Sequence, residues 1–271
     1  MTVTGGTTRA VNEAAALLRE AESTGRPCEP VRPLIGSSDT EAAYAVQQRN
    51  VRLRLESGRH VVGRKIGLTS PAVQAQLGVD RPDFGYLLDD MDVSGVPMIP
   101  YRQLLQPKIE AEIAFTLSAD LNEGELSREQ VLSSIAHAAG ALEIVDSRIR
   151  GWDIAFGDTV ADNASSGLFV LSRVRVPVSA FDPVQVQVEL LRNGEVVSAG
   201  NGAACLGDPV AALVWLARTA RDFGDPLLAG QVVLSGALGP MVEVAPGDQF
   251  LARFTALGEV RATFEPQENR A

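Results

Sequence analysis

The chain has 271 residues, 45% of them hydrophobic, which is ample for a sizeable core in one large domain or in a domain with an extension. Its 34 acidic and 24 basic residues leave a formal net charge of −10, which argues against nucleic acid and anionic membrane surfaces as partners. An anionic substrate therefore needs a local basic group or a metal ion to overcome that field. Cys28 and Cys205 form neither a metal-ligand spacing nor a disulfide framework, which fits a reducing cytoplasm. Met1 to Gly6 reads as a start without a signal peptide, and no apolar run is long enough to span a bilayer.

Residues 8–23 read as an amphipathic helix with Val11, Ala14, Ala15, Leu18 and Ala21 as its apolar stripe. Thr24 to Ser37 is rich in Pro and Gly and reads as a crossing loop. Ser38-Asp39-Thr40-Glu41 reads as a capping box that opens a second helix, ending near Gly58. This helical lead-in, residues 1–58, is expected to form a lobe, a lid or a clasp on a neighbouring subunit. The remainder, 59–271, is expected to carry the chemistry. Within it, Lys65 lies in the apolar strand Val61 to Leu68, where a lysine either snorkels to the surface or serves a site. Ser70 and Pro71 are expected to start a short helix that ends before Gly78. Asp83, between Pro82 and Gly85, reads as a turn residue or as an acid/base held at a loop tip.

The stretch Gln106 to Phe115 alternates with period two. Ile109, Ala111, Ile113 and Phe115 face one way and Glu110, Glu112 and Ala114 the other. The two glutamates are about 7 Å apart along such a strand. Adjacent like charges are unfavourable unless they face water or share a cation. Ser127 and Gln130 cap a further helix, with His137 expected as a charge near its end. Glu143 sits inside the apolar run Ala141 to Val145, where a lone charge is costly without a partner. Glu110, Glu112 and Glu143 together make a facial set of oxygen ligands suited to a hard divalent ion, Mg²⁺ or Mn²⁺, with positions left for a chelating substrate. Asp158 to Gly167 is a dense polar loop before the strand Leu168 to Leu171 and reads as a ligand wall.

The C-terminal part reads mostly as strands. Val184 to Leu190 and Glu195 to Ser198 turn about Asn193-Gly194, and Gln231 to Ser235 forms another strand. Phe250 to Thr255 and Val260 to Phe264 form a hairpin about Leu257-Gly258. Asp208-Pro209 starts a helix among them. Many short strands with a few helices indicate an α+β fold with a curled or barrel-like mixed sheet.

Gly63 to Ser70, Pro82 to Gly85, Pro107 to Glu112, Leu142 to Arg148 and Asp158 to Gly167 resemble, in this order, the 2-keto-4-pentenoate hydratases of the fumarylacetoacetate hydrolase superfamily. The resemblance covers nearly the whole chain. It implies a mixed β-roll with an N-terminal helical extension, and a Mg²⁺ or Mn²⁺ ion held by Glu110, Glu112 and Glu143. It further implies proton transfer and substrate handling by Lys65 and Asp83, and a pocket lined by Leu68 and Ser165. The implied reaction is addition of water to 2-hydroxypenta-2,4-dienoate, giving 4-hydroxy-2-oxopentanoate, in meta-cleavage catabolism of aromatic compounds in the cytoplasm. By analogy the assembly is a homo-oligomer, a pentamer or paired rings. The superfamily's hydrolases use an Asp as third ligand and a His-Glu dyad on a lid. With Glu143 in the third place, and neither His60 nor His137 in such a dyad, a lyase is favoured. Two alternatives stand beside it: a 4-oxalocrotonate decarboxylase, and a non-catalytic binding or assembly protein that keeps the fold.

Overall fold

The computed structural model describes residues 5–70, 74 and 81–267. Of the short helix expected from Ser70 and Pro71 to Gly78, only Ser70 and Gln74 are among the described residues, the Gln74 N–H donating to the Ser70 carbonyl at 3.0 Å.

The lead-in forms α1 (Gly5–Thr24), a single-turn α2 (Arg32–Ile35) inside the segment expected as a loop, and α3 (Thr40–Glu56). The cap of α3 differs from the expected box. Asp39 is the N-cap, its Oδ1 accepting the Ala42 N–H at 3.0 Å, so Glu41 is the second helical residue and cannot close the box. The apolar stripe of α1 is covered by its own chain. Val11, Ala14, Ala15, Leu18 and Ala21 are buried, and most join the core that also takes in both sheets. A neighbouring subunit is therefore not needed to cover that stripe, and the argument for a clasp built on it fails.

Eleven strands follow among the described residues: β1 (Val61–Gly67), β2 (Asp83–Leu88), β3 (Pro107–Leu117), β4 (Ile135–Asp146), β5 (Ser166–Leu171), β6 (Gln187–Arg192), β7 (Glu195–Asn201), β8 (Val232–Ala237), β9 (Val242–Glu243), β10 (Gln249–Phe254) and β11 (Gly258–Thr263). Three helices are interleaved: α4 (Arg128–Ser133), α5 (Phe156–Ala161) and α6 (Pro209–Asp222), the last capped by Asp208 as expected. Asp83 opens β2, paired with Gly67 and buried, so it is neither a turn residue nor a loop tip. α4 ends early at Ser133, and His137 consequently falls on β4 opposite Thr116 rather than at a helix end.

The strands make a seven-stranded sheet, β2-β1-β8-β3-β4-β5 with β9 beside β3, and a four-stranded antiparallel sheet, β11-β10-β6-β7. Only β1 and β8 run parallel, so the larger sheet is mixed. Its pairing slips at Val61/Gly63, Glu112/Ala114, Thr116/Leu117 and Ile144/Val145. Each slip adds local twist and bend, and the sheet curls into a half-barrel. The outer face packs on the helices and the small sheet. On the inner face Ala114, Ala141 and Leu234 join Leu87, Leu88, Met91 and Phe169 in a separate apolar plug. Glu110 and Glu112 share that inner face, so both carboxylates point into protein instead of water.

Candidate metal centre

β3 and β4 bring the acidic residues together through their register. Glu110 stands opposite Glu143, and Glu112 opposite the small Ala141. One carboxylate oxygen from each of Glu110, Glu112 and Glu143 lies within 4.8 Å of the others. Glu112 and Glu143 have no solvent exposure, and Glu110 is buried as well. Glu112 Oε2 accepts the Gly236 N–H at 2.7 Å. That donor requires a glycine: φ is 107° at Gly236, and a Cβ there would lie 2.4 Å from the Thr69 side chain.

Glu112 Oε1 and both oxygens of Glu143 are buried without a hydrogen bond among the described residues. Lys65 Nζ is 3.1 Å from Glu143 Oε1, close enough for an ion pair but not aligned as a hydrogen bond. One ammonium thus faces three glutamates and Asp83. Orphaned buried oxygens in a set of hard donors fit a divalent cation of the Mg²⁺ or Mn²⁺ type. The buried acidic triad can hold one such ion.

Lys65 and Asp83 meet at Gly67. A Cβ on Gly67 would lie 2.2 Å from Asp83 Oδ1 and 3.6 Å from Lys65 Nζ, so a side chain there would displace the pair. Burial pushes the Asp83 carboxyl up to about 6, with Lys65 pulling against that rise and Glu143 adding to it. Burial also works against the charge on Lys65. The carboxylates of Glu143, Glu110, Asp83 and Glu112 outweigh it and hold the ammonium protonated. Glu110 is pushed up to about 7, first by burial and then by Glu143. Glu112 is raised for the same reasons, with Glu110 adding to the repulsion.

Lys65, Leu68, Asp83, Glu110 and Ser165 line one cavity of about 290 Å³. The polar stretch 158–167 divides its work. Thr159, Ala164 and Ser165 face this cavity, whereas Asp158 binds the backbone and side chain of Arg32 and Asp162 pairs with Arg148. Asn163, Ala164 and Ser165 all have left-handed backbones, with φ of 55°, 52° and 53°. Three such non-glycine residues in a row store strain that the surrounding bonds must hold. The Asn163 side chain does so by bonding both the N–H and the C=O of Tyr86. A larger cavity of about 600 Å³ lies against α1 and α3, but its charged groups are taken up within the wall: Arg54 pairs with Glu22 and Asp90, Arg148 with Asp162, Arg19 donates to Asn50, and Asp146 accepts the Leu105 and Gln106 N–H groups. Neither His60, exposed near Asp89, nor His137 lines the metal-site cavity.

Sequence reasoning did not single out Thr159, Gly236, Lys108 or Trp152. Thr159 and Lys108 lay inside stretches already marked as polar or acidic. Gly236 and Trp152 gave no local signal, because their roles depend on strands and turns far away in the chain.

A fold of this kind around a carboxylate triad defines a metal-holding enzyme class, and sequence comparison agrees. The fumarylacetoacetate hydrolase C-terminal family profile matches residues 89–265. The chain belongs to this family, and within it to the group of the 2-keto-4-pentenoate hydratases. A 2-keto-4-pentenoate hydratase of Paraburkholderia xenovorans is 50% identical over 94% of this chain and 95% of its own length. One of Burkholderia vietnamiensis is 52% identical over 92% of this chain and 95% of its own. Among solved structures, a 4-oxalocrotonate decarboxylase from Pseudomonas putida complexed with magnesium and adipate superposes with a TM-score of 0.90 and 33% identity, covering 97% of this chain and 99% of that one. No helix among the described residues is long and apolar enough to cross a membrane.

The raised Glu110 carboxyl makes metal binding depend on pH. In the unfolded chain Glu110 loses its proton near 4.5, and in the folded, metal-free chain only near 7. Between those values the folded state holds the extra proton, so the metal-free protein loses stability as pH rises through the window. A cation must displace that proton below pH 7 but not above it. The expected outcome is a larger rise in melting temperature on adding Mg²⁺ at pH 8 than at pH 5.5, read by thermal shift. An equal rise at both values would place Glu110 outside the ion's ligands.

Proposed function

We propose that this chain is a divalent-metal-dependent hydratase acting on 2-hydroxypenta-2,4-dienoate. The observation that carries the reading is the triad with orphaned oxygens beside a Lys–Asp pair in one cavity. The relatives named 2-keto-4-pentenoate hydratase, half identical over almost their whole length, support the substrate class. The reaction balances as dienoate plus water giving 4-hydroxy-2-oxopentanoate. The 2-hydroxyl proton leaves, a proton arrives at C5, and water then adds its OH at C4 and its H at C3.

Glu110, Glu112 and Glu143 would hold the ion, with the Gly236 N–H fixing Glu112. When bound, the ion supplies charge stabilisation at the substrate's C2 oxygen. Asp83 handles the protons, with the Lys65 ammonium set beside it. Asp83, with its carboxyl near 6, exchanges a proton readily around neutrality and is held beside Thr159 and Ser165. Lys65 stays charged and orients Asp83 and Glu143 between which it lies. Leu68 and Ser165 bound the substrate's carbon chain.

A second reading is favoured by one observation, the near-complete superposition on a 4-oxalocrotonate decarboxylase. Turnover separates the two. With Mg²⁺ the protein is expected to bleach the ultraviolet absorbance of 2-hydroxypenta-2,4-dienoate, to stop on adding EDTA, and to release little CO₂ from 2-oxo-3-hexenedioate. The reverse preference would make it a decarboxylase, and activity on neither would support the non-catalytic reading.

Two variants separate holding the ion from moving protons. Glu112→Gln should weaken Mg²⁺ binding by about tenfold or more, since even the loss of a ligand's supporting partner costs that much. Lys65→Met should lose about 10²–10⁴-fold in turnover. It should bind Mg²⁺ at least as tightly as the wild type, because a positive charge beside the carboxylates is gone. Calorimetric titration with Mg²⁺ checks both, and Mg²⁺ affinity lost in Lys65→Met would contradict this division.

The same reading includes a homo-oligomer, a pentamer or paired rings. Its support in this chain is the edge strand β7, where Val196 and Val197 are 56% and 41% exposed with no strand beyond them among the described residues. Light scattering is expected to give a multiple of 28.7 kDa, and a monomer mass at working concentrations would refute it.

A further inference from the structure

Lys108 stands two residues before Glu110 on β3, on the same face and about 7 Å along the strand. Its register partners are Val145 on β4 and Glu243 on β9. It lines the same cavity as Lys65, Asp83 and Glu110. Its ammonium lies 4.6 Å from the centroid of the Trp152 ring, an attraction of modest strength at a partly exposed site. Glu243 is exposed, and among the described residues no carboxylate forms an ion pair with Lys108.

Trp152 is held in place by more than packing. Its backbone is left-handed, with φ of 57°. Its indole N–H donates to the Gln106 carbonyl at 3.0 Å. The Gln106 side chain accepts the Gly151 N–H at 2.6 Å and donates to the carbonyls of Ser147 and Ile149 at 2.9 and 2.8 Å. This network sets the ring as a fixed platform under the ammonium.

The two lysines of the cavity are therefore in opposite states. Lys65 is sealed in and committed to Glu143, whereas Lys108 is half-buried with only an aromatic face for company. A dienoate bound at the triad must bring C4 and C5 to a group that moves protons. Lys65 and Asp83 are the groups that fit, and they come from β1 and β2. The other end of the substrate then points along β3, past Glu110. That end carries the carboxylate, and Lys108 is the uncommitted cation there.

We propose that Lys108, seated on Trp152, holds the substrate's carboxylate and leaves Lys65 to the proton chemistry with Asp83. The assignment rests on the dienoate reading above. It makes Lys108 the group that draws a small 2-oxo or 2-hydroxy monocarboxylate into a protein whose net charge is −10.

The test is calorimetric binding of 2-oxopentanoate, a saturated analogue that cannot be hydrated, to the full chain with and without Mg²⁺. Lys108→Met is expected to weaken Mg²⁺-dependent binding by about tenfold or more, the scale of a hydrogen bond to a charged group, while Mg²⁺ affinity does not fall. Lys65→Met is expected to keep most of the affinity for 2-oxopentanoate. Three results overturn the assignment: Lys108→Met binding within about threefold of wild type, a fall in its Mg²⁺ affinity large enough to account for the loss, or an equal loss in Lys65→Met. A wild type that hydrates the dienoate while Lys108→Met binds unchanged sinks the Lys108 role alone. A wild type with neither turnover nor Mg²⁺-dependent binding sinks the hydratase reading together with it.

Discussion

Everything in this fold answers to one constraint: three glutamates and an aspartate are buried around a single ammonium. Like charges at this spacing repel strongly where water is excluded. The chain relieves the repulsion in three ways. It raises the proton affinity of Glu110, Glu112 and Asp83. It directs one backbone donor, the Gly236 N–H, at Glu112. It leaves oxygens of Glu112 and Glu143 without a hydrogen bond among the described residues, which is the arrangement a divalent cation completes.

The curl of the large sheet makes such burial possible. A flat sheet would present the Glu110 face to water or to a helix. The pairing slips bend β3 and β4 so that their inner face closes on β1, and the small residues Ala114 and Ala141 leave space for the carboxylates above the apolar plug. The helices act one layer further out. Arg32, on α2, binds Asp158 on α5, and Arg148 binds Asp162, and these pairs brace the left-handed run that carries Ser165 to the cavity. The 158–167 stretch thus splits between support, through Asp158 and Asp162, and site, through Thr159 and Ser165.

The fold itself does not select the reaction, since hydratases and a decarboxylase share it among the relatives of this chain. Selection falls to the cavity wall. Its polar side is set by β1, β2 and the 159–165 stretch, and its other side by Lys108, Trp152, Ile154 and Met241. A metal site that polarises one end of a conjugated acid can serve either water addition or loss of CO₂. On the proposal above, the placement of Lys65, Asp83 and Lys108 along the wall selects water addition.

Much of this was legible in the residues. Alternation with period two placed Glu110 and Glu112 on one strand face, and the cost of a lone charge in an apolar run singled out Glu143 and Lys65. These signals are local, carried by neighbours two to four residues apart, and the sequence by itself determined them. Local patterns also placed α1, α3, α6 and the C-terminal hairpin, though not the cap of α3 or the strand that holds His137. Only the tertiary structure decided that Glu143 stands opposite Glu110, that Asp83 is a buried strand residue beside Gly67, that Gly236 serves Glu112, and that Lys108 rests on Trp152. Each of these is a register or an approach between segments distant in the chain. It is fixed by how the sheet slips and curls, and no short window of sequence encodes that.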